Sequence, residues 1–194
     1  MIERLKRQLE FIREIDKVKE IFRHTKLFNG SRVENDAEHS WHLAVMAIIL
    51  AEYAKEPIEI DKVIKMVLIH DIVEIDAGDY IVYTDLRDEK EEKERKAAER
   101  IFGILPEEQK MEYLNLWEEF EKRETAEAKF AAALDRLEPL LQNYYNKGGS
   151  WQKYKISFEQ IYEGNKHIEE GSTILWEYVQ DMLEECKEKG FITE

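Results

Sequence analysis

One cysteine in 194 residues has no intramolecular disulfide partner, so Cys186 belongs to no disulfide framework and a reducing, cytoplasmic setting is expected. Three prolines and eight glycines leave few interruptions, which favours helices over a turn-rich sheet. No apolar stretch approaches the length that crosses a bilayer, and Met1-Ile2-Glu3-Arg4-Leu5-Lys6-Arg7 opens an amphipathic helix without a signal-peptide core. No membrane association is expected. Basic charge is scarce: 29 Lys and Arg against 43 Asp and Glu leave a formal charge of −14. Such a surface repels anionic membranes and extended nucleic acid. A small anion remains admissible, because a divalent metal and one or two Arg reverse the potential inside a pocket. Internal repeats, low-complexity linkers and sustained strand alternation are also missing.

What is present is helical periodicity. Leu5, Leu9, Ile12, Ile15, Val18 and Ile21-Phe22 recur at helical intervals and predict a first helix ending near Arg23. Residues 24–35 lose the period and, with Asn29-Gly30 and Arg32, read as a loop. Asp36 is a good N-cap for a helix from Ala37 to about Lys55 that carries His39 in its first turn. A third helix runs from Asp61 to about Ile75, Asp79 lies just beyond it, and the irregular stretch Tyr80 to Leu86 suits a pocket wall or lid. A charged helix over residues 88–102 follows, and Pro106 opens another through about Lys122. Thr125 then caps a helix whose apolar centre, Phe130-Ala131-Ala132-Ala133-Leu134, ends on Asp135. Pro139 leaves the Asp135 carbonyl without a helical partner, so a kink is expected there. Ser150 and Ser172 cap the last helices, and Trp117 and Trp176 sit at core spacing. The expected architecture is all-α, a single compact domain over residues 1–194 of roughly seven or eight helices.

The chemistry concentrates in His70-Asp71-Ile72-Val73-Glu74, which closes the apolar run Val63-Ile64-Lys65-Met66-Val67-Leu68-Ile69. On an α-helix His70 and Glu74 share a face, with Asp71 about 100° round from His70. Buried charges must be paired or coordinated, which points to a metal. A lone His-Asp dipeptide is better explained as a hydrogen-bonded pair capping a core helix, so further ligands are needed. His39, in Glu38-His39-Ser40-Trp41-His42, and Asp135, in Leu134-Asp135-Arg136, supply them from two other helices. Two imidazoles and two carboxylates suit one divalent ion: Mn²⁺, Co²⁺, Fe²⁺, Zn²⁺ or, less comfortably, Mg²⁺. His42 reads as a core or supporting residue, and His167 is left unassigned.

The order His…His-Asp…Asp, with Glu-His-Ser-Trp-His at the first ligand, resembles the HD-domain metal-dependent phosphohydrolases. Within them the sequence is most similar to the 5′-nucleotidase-like branch that acts on deoxyribonucleoside monophosphates. Its motif continues as His-Asp-x-x-Glu and Gly-Asp, read here as His70-Asp71-Ile72-Val73-Glu74-Ile75-Asp76-Ala77-Gly78-Asp79. The resemblance covers roughly residues 20–145. It implies metal ligation by His39, His70, Asp71 and Asp135, catalytic roles near phosphate and attacking water for Glu74 and Asp79, and Arg32 near the pocket as a substrate-binding group. An Arg-Trp pair of the branch falls here at about His24-Thr25, with Arg23 or His24 available as substitutes. The resemblance also implies a nucleotide substrate and, together with several aromatic-rich helices, a homodimer. Two other readings stay open: hydrolysis of another phosphorylated substrate, such as a nucleoside triphosphate or signalling nucleotide, and a non-catalytic helical module with a structural metal.

Overall fold

In a computed structural model of the protein, which describes residues 1–79 and 87–192, the first helix, α1 (Ile2–Ile15), ends well before Arg23. A 3-10 turn over Asp16–Glu20 delivers the chain into a short strand, β1 (Phe22–Lys26), which pairs antiparallel with β2 (Val33–Asn35). Asn29-Gly30 turns the chain between them: Gly30 takes φ +71° and its N–H donates to the Leu27 carbonyl at 2.8 Å. The expected helix end and loop are therefore a hairpin. Strands of five and three residues are too short for a two-residue period to register against helical neighbours.

Beyond the hairpin the chain is helical: α2 (Asp36–Leu50), a 3-10 turn (Ala51–Tyr53), α3 (Ile60–Ile69), a 3-10 turn (His70–Val73) and a single α-turn, α4 (Glu74–Ala77). Then come α5 (Arg87–Phe102), α6 (Glu107–Lys122), α7 (Ala126–Tyr145), α8 (Gly149–Tyr154), α9 (Phe158–Asn165), the single turn α10 (Ile168–Gly171) and α11 (Thr173–Glu188). Apart from the two single turns, nine helices stand among the described residues, and the class is all-α. The pocket wall expected over Tyr80–Leu86 lies outside the described residues. No helix among those described is long and apolar enough to cross a membrane.

Two caps differ from expectation. Asn35, not Asp36, caps α2: its side chain accepts from the Glu38 N–H at 3.0 Å while the Glu38 carboxylate accepts from the Asn35 N–H at 3.3 Å. Asp36 is thereby the first helical residue, and its side chain is wholly buried. The helix expected from Ser150 is two helices: α8, with Gly148 at its N-cap, ends at Lys155 in the left-handed region, at φ 55°, and Ser157 caps α9. Thr125 and Ser172 cap α7 and α11, accepting from the N–H groups of Ala128 and Leu175.

The core is built around α7, which touches α2, α3, α6, α10 and α11. Phe130, Ala131, Ala133 and Leu134 are wholly buried, and small side chains let α10 approach closely. A Cβ on Gly171 would stand 2.4 Å from the Lys129 carbonyl oxygen. α7 runs through Pro139 as one helix, so the missing N–H does not end it. Trp117, Trp151 and Trp176 are core residues, whereas Trp41 is 65 % exposed.

Candidate metal centre

The apolar side chains of Val63, Met66 and Val67 bury α3 and bring its C-terminal end into the interior. At His70 the winding tightens to 3-10, in which residues three apart eclipse. The 3-10 turn ends at Val73, and Glu74, buried, opens α4. The charges felt at Glu74 are those of Asp71, Asp36, Asp79 and Arg23.

Three elements converge on the imidazoles. His39 Nε2 lies 3.0 Å from Asp135 Oδ1 and 3.9 Å from Asp71 Oδ2. His70 Nε2 lies 3.1 Å from Asp71 Oδ1 and 3.4 Å from Asp135 Oδ1. Ligand atoms of His39, His70 and Asp135 all fall within 4.8 Å of one another. These residues fit a divalent cation on a specific observation. His70 Nδ1 donates to the Val67 carbonyl at 2.9 Å, which leaves Nε2 to carry the lone pair, and that buried Nε2 has no hydrogen-bond partner despite the nearby carboxylates. A nitrogen with its lone pair turned toward two carboxylates is what a cation needs. Asp71 offers a fourth oxygen while its Oδ2 accepts from Arg23 at 2.8 Å.

Burial pushes the His70 pKa down, but the neighbouring carboxylates of Asp71 and Asp135 outweigh it and raise it to about 9. His39 is also raised, burial being overcome by Asp135, Glu138 and Glu34. Burial pushes Asp135 up, and His39 and His70 more than reverse this. Without a metal the carboxylates thus favour a proton on each ring, at the place where a divalent cation would displace it and meet the Nε2 lone pair.

Beside the imidazoles sits Arg23 of β1, nearly buried, its guanidinium 2.8 Å from Asp71 Oδ2 and 3.3 Å from Asp36 Oδ1. Burial and the Asp71 charge raise the Asp36 carboxyl to about 7, against the lowering effect of Arg23 and the neighbouring Glu74. Burial, then Asp71, Asp36 and Asp79, push Glu74 far above the usual carboxylate range. Asp79, just past Gly78 at φ +80°, is close enough for its charge to act on Arg23, Asp36 and Glu74. Arg32 is not brought here. It pairs at the surface with both oxygens of Glu38, at 2.7 and 2.6 Å, and donates to the Val33 carbonyl. Of Arg23 and Arg32, Arg23 is the one the fold brings to the centre, because the hairpin carries it inward and leaves Arg32 beyond the strand, and Arg136 Nε also stands 3.8 Å from Asp135 Oδ2.

The family model described as HD domain matches residues 15–176. The chain belongs to the HD-domain family. Human 5′-deoxynucleotidase HDDC2 is 32 % identical to it over 136 residues, which cover 69 % of this chain and 65 % of that protein. The Bos taurus protein of the same name is 31 % identical over 153 residues, 75 % of this chain and 73 % of that protein. Among solved structures, a predicted metal-dependent phosphohydrolase from Magnetospirillum magnetotacticum matches at a TM-score of 0.95 and 50 % identity over 98 % of this chain and 96 % of that one. A conserved hypothetical protein from Pyrococcus furiosus matches at 0.65 and 26 % over 93 % and 99 %.

Within this HD domain, sequence reasoning named His39, His70, Asp71, Asp135, Glu74 and Asp79 and missed Asp36, Glu34 and Glu138. The capping pattern Asn35-x-x-Glu38 was the available signal for Asp36, since it assigns the cap to Asn35 and turns the next residue inward. Glu138, three residues after Asp135, shares its helix face. His167, half-buried near Arg136 and Arg123, is pushed by burial and their charge to about 4 and stays neutral at physiological pH.

Proposed function

We propose that residues 1–194 form a single HD domain acting as a metal-dependent phosphomonoesterase on deoxyribonucleoside 5′-monophosphates, releasing nucleoside and inorganic phosphate. One observation carries the reading: the nearly buried guanidinium of Arg23 stands 2.8 Å from Asp71, next to the cation-fitting cluster of His39, His70 and Asp135, so that a bound cation and the guanidinium would lie side by side. That pairing recognises a phosphate monoester dianion. The deoxynucleotidase relatives supply the nucleoside and its sugar.

His39, His70, Asp71 and Asp135 would hold one divalent ion, which supplies Lewis-acid polarisation of a phosphoryl oxygen and a lowered pKa for water. Arg23 binds a phosphate oxygen, and its pairing with Asp71 and Asp36 fixes the guanidinium before substrate arrives. Glu74, protonated through burial and beside Asp36, exchanges a proton with the attacking water or the leaving nucleoside oxygen, and Asp79 shares that work. Arg32 would act on substrate from outside the centre.

Purified protein with Mn²⁺ or Co²⁺ should release phosphate from a panel of deoxyribonucleoside and ribonucleoside monophosphates. Pyrophosphate as product would instead assign a triphosphate substrate, and bound metal with no turnover of any phosphate ester would assign a structural centre. A homodimer belongs to the same proposal, supported by the outward face of α2, where Trp41, Val45 and Ile48 stand exposed at helical spacing. Light scattering tests it, a monomeric mass refuting it. A cytoplasmic location is supported by the lone, buried Cys186.

A further inference from the structure

Asp135 and Glu138 lie three residues apart on α7 and share a face. They take opposite nitrogens of one imidazole: His39 Nε2 is 3.0 Å from Asp135 Oδ1, and His39 Nδ1 is 3.3 Å from Glu138 Oε2. Glu138 is wholly buried. A carboxylate removed from water this completely is tolerated where donors surround it. Its second oxygen, Oε1, accepts from His42 Nδ1 at 3.2 Å and from the Gln142 side-chain amide. Glu34 closes the same side, its buried Oε2 3.6 Å from His39 Nδ1 and without a hydrogen-bond partner.

We infer that Glu138 is the positioning residue of the centre: it accepts the His39 Nδ1–H, so that the Nε2 lone pair faces the cation, and His42 and Gln142 hold Glu138 in place. The inference rests on metal ligation by His39. The two rings are oriented by different means. His70 is fixed by the Val67 backbone carbonyl, which substitution at position 67 leaves in place. His39 is fixed by a side chain, so the orientation of His39 is the one open to mutation. His42 is half-buried on α2, one turn after His39, and gives the network its outer end.

The test is the Mn²⁺ dissociation constant, read by competition with a chromogenic chelator, together with KM and kcat at saturating Mn²⁺. Glu138→Gln should raise the dissociation constant roughly 10- to 100-fold with KM little changed, and Glu138→Asp should recover part of the loss. Wild-type Mn²⁺ affinity in folded Glu138→Gln overturns the inference. If Glu138→Gln does not fold, His42→Gln decides: a raised dissociation constant supports the inference and an unchanged one overturns it. Wild-type protein that takes up no Mn²⁺ removes the ligation reading as well, an outcome distinct from unchanged affinity in the variant.

Discussion

Replacing Arg23 with Gln should weaken the fold and the reaction while strengthening metal binding. The guanidinium sits 2.8 Å from Asp71 and 3.3 Å from Asp36, both buried, so its loss leaves Asp36 without a cation and Asp71 with only the imidazoles beside it. Removing one partner of a buried ion pair costs about 3–5 kcal/mol. For a chain of this size each kcal/mol moves Tm by about 2–4 °C, so metal-free Arg23→Gln should melt roughly 6–20 °C below wild type. The deficit should be smaller at pH 6 than at pH 8, because a proton on Asp36, whose pKa is raised to about 7, then stands in for the lost charge. Mn²⁺ should bind more tightly, since Asp71 Oδ2 is released from Arg23 and the unbalanced negative charge favours a cation. Catalysis moves the other way: a charged hydrogen bond to phosphate contributes about 1.5–3 kcal/mol, so kcat/KM should fall about 10- to 150-fold. Scanning calorimetry with chelator, chelator competition and phosphate-release kinetics measure the three quantities. Equal or weaker Mn²⁺ affinity, or wild-type kcat/KM, refutes the electrostatic account.

Mn²⁺ at about a hundred times its dissociation constant should stabilise the protein by about 2.7 kcal/mol. That is about 5–10 °C in Tm. Asp135→Asn should abolish the shift, and a persisting shift would place the cation elsewhere. In chelator, stability should decline as pH rises from 6.5 through about 9, because the folded pKa of His70 is raised: its contribution is full below 6.5 and lost above about 9. A melting temperature that does not fall across that window contradicts this. Glu74→Gln should lower kcat by about 10²–10⁴ without weakening Mn²⁺ binding, and wild-type kcat would exclude a proton-transfer role. Gly171→Ala should cost about 1–3 kcal/mol by driving a methyl group into the Lys129 backbone, measured by urea unfolding.

The helical class and the elements bearing His39, His70-Asp71 and Asp135 were legible because apolar residues at helical spacing report a buried face directly. The caps at Thr125 and Ser172 were legible for the same reason, being local chemistry. The hairpin was not, since strands this short owe their existence to pairing with each other. Glu74 was legible as a residue type, but the change from α-helix to a 3-10 turn at His70 was not, because no local pattern in the sequence marks it.

By itself, the amino-acid sequence determined which side chains could serve a cation, because imidazoles and carboxylates at the ends of apolar runs must be paired wherever the chain buries them. Only the tertiary structure decided which of two arginines joins them, that Asp36 faces Arg23, and that Asp135 and Glu138 meet opposite sides of one imidazole. Periodicity tells which face a residue occupies on its own helix; which other face it meets depends on how α2, α3, α7 and the hairpin pack together, and no local pattern encodes that distance.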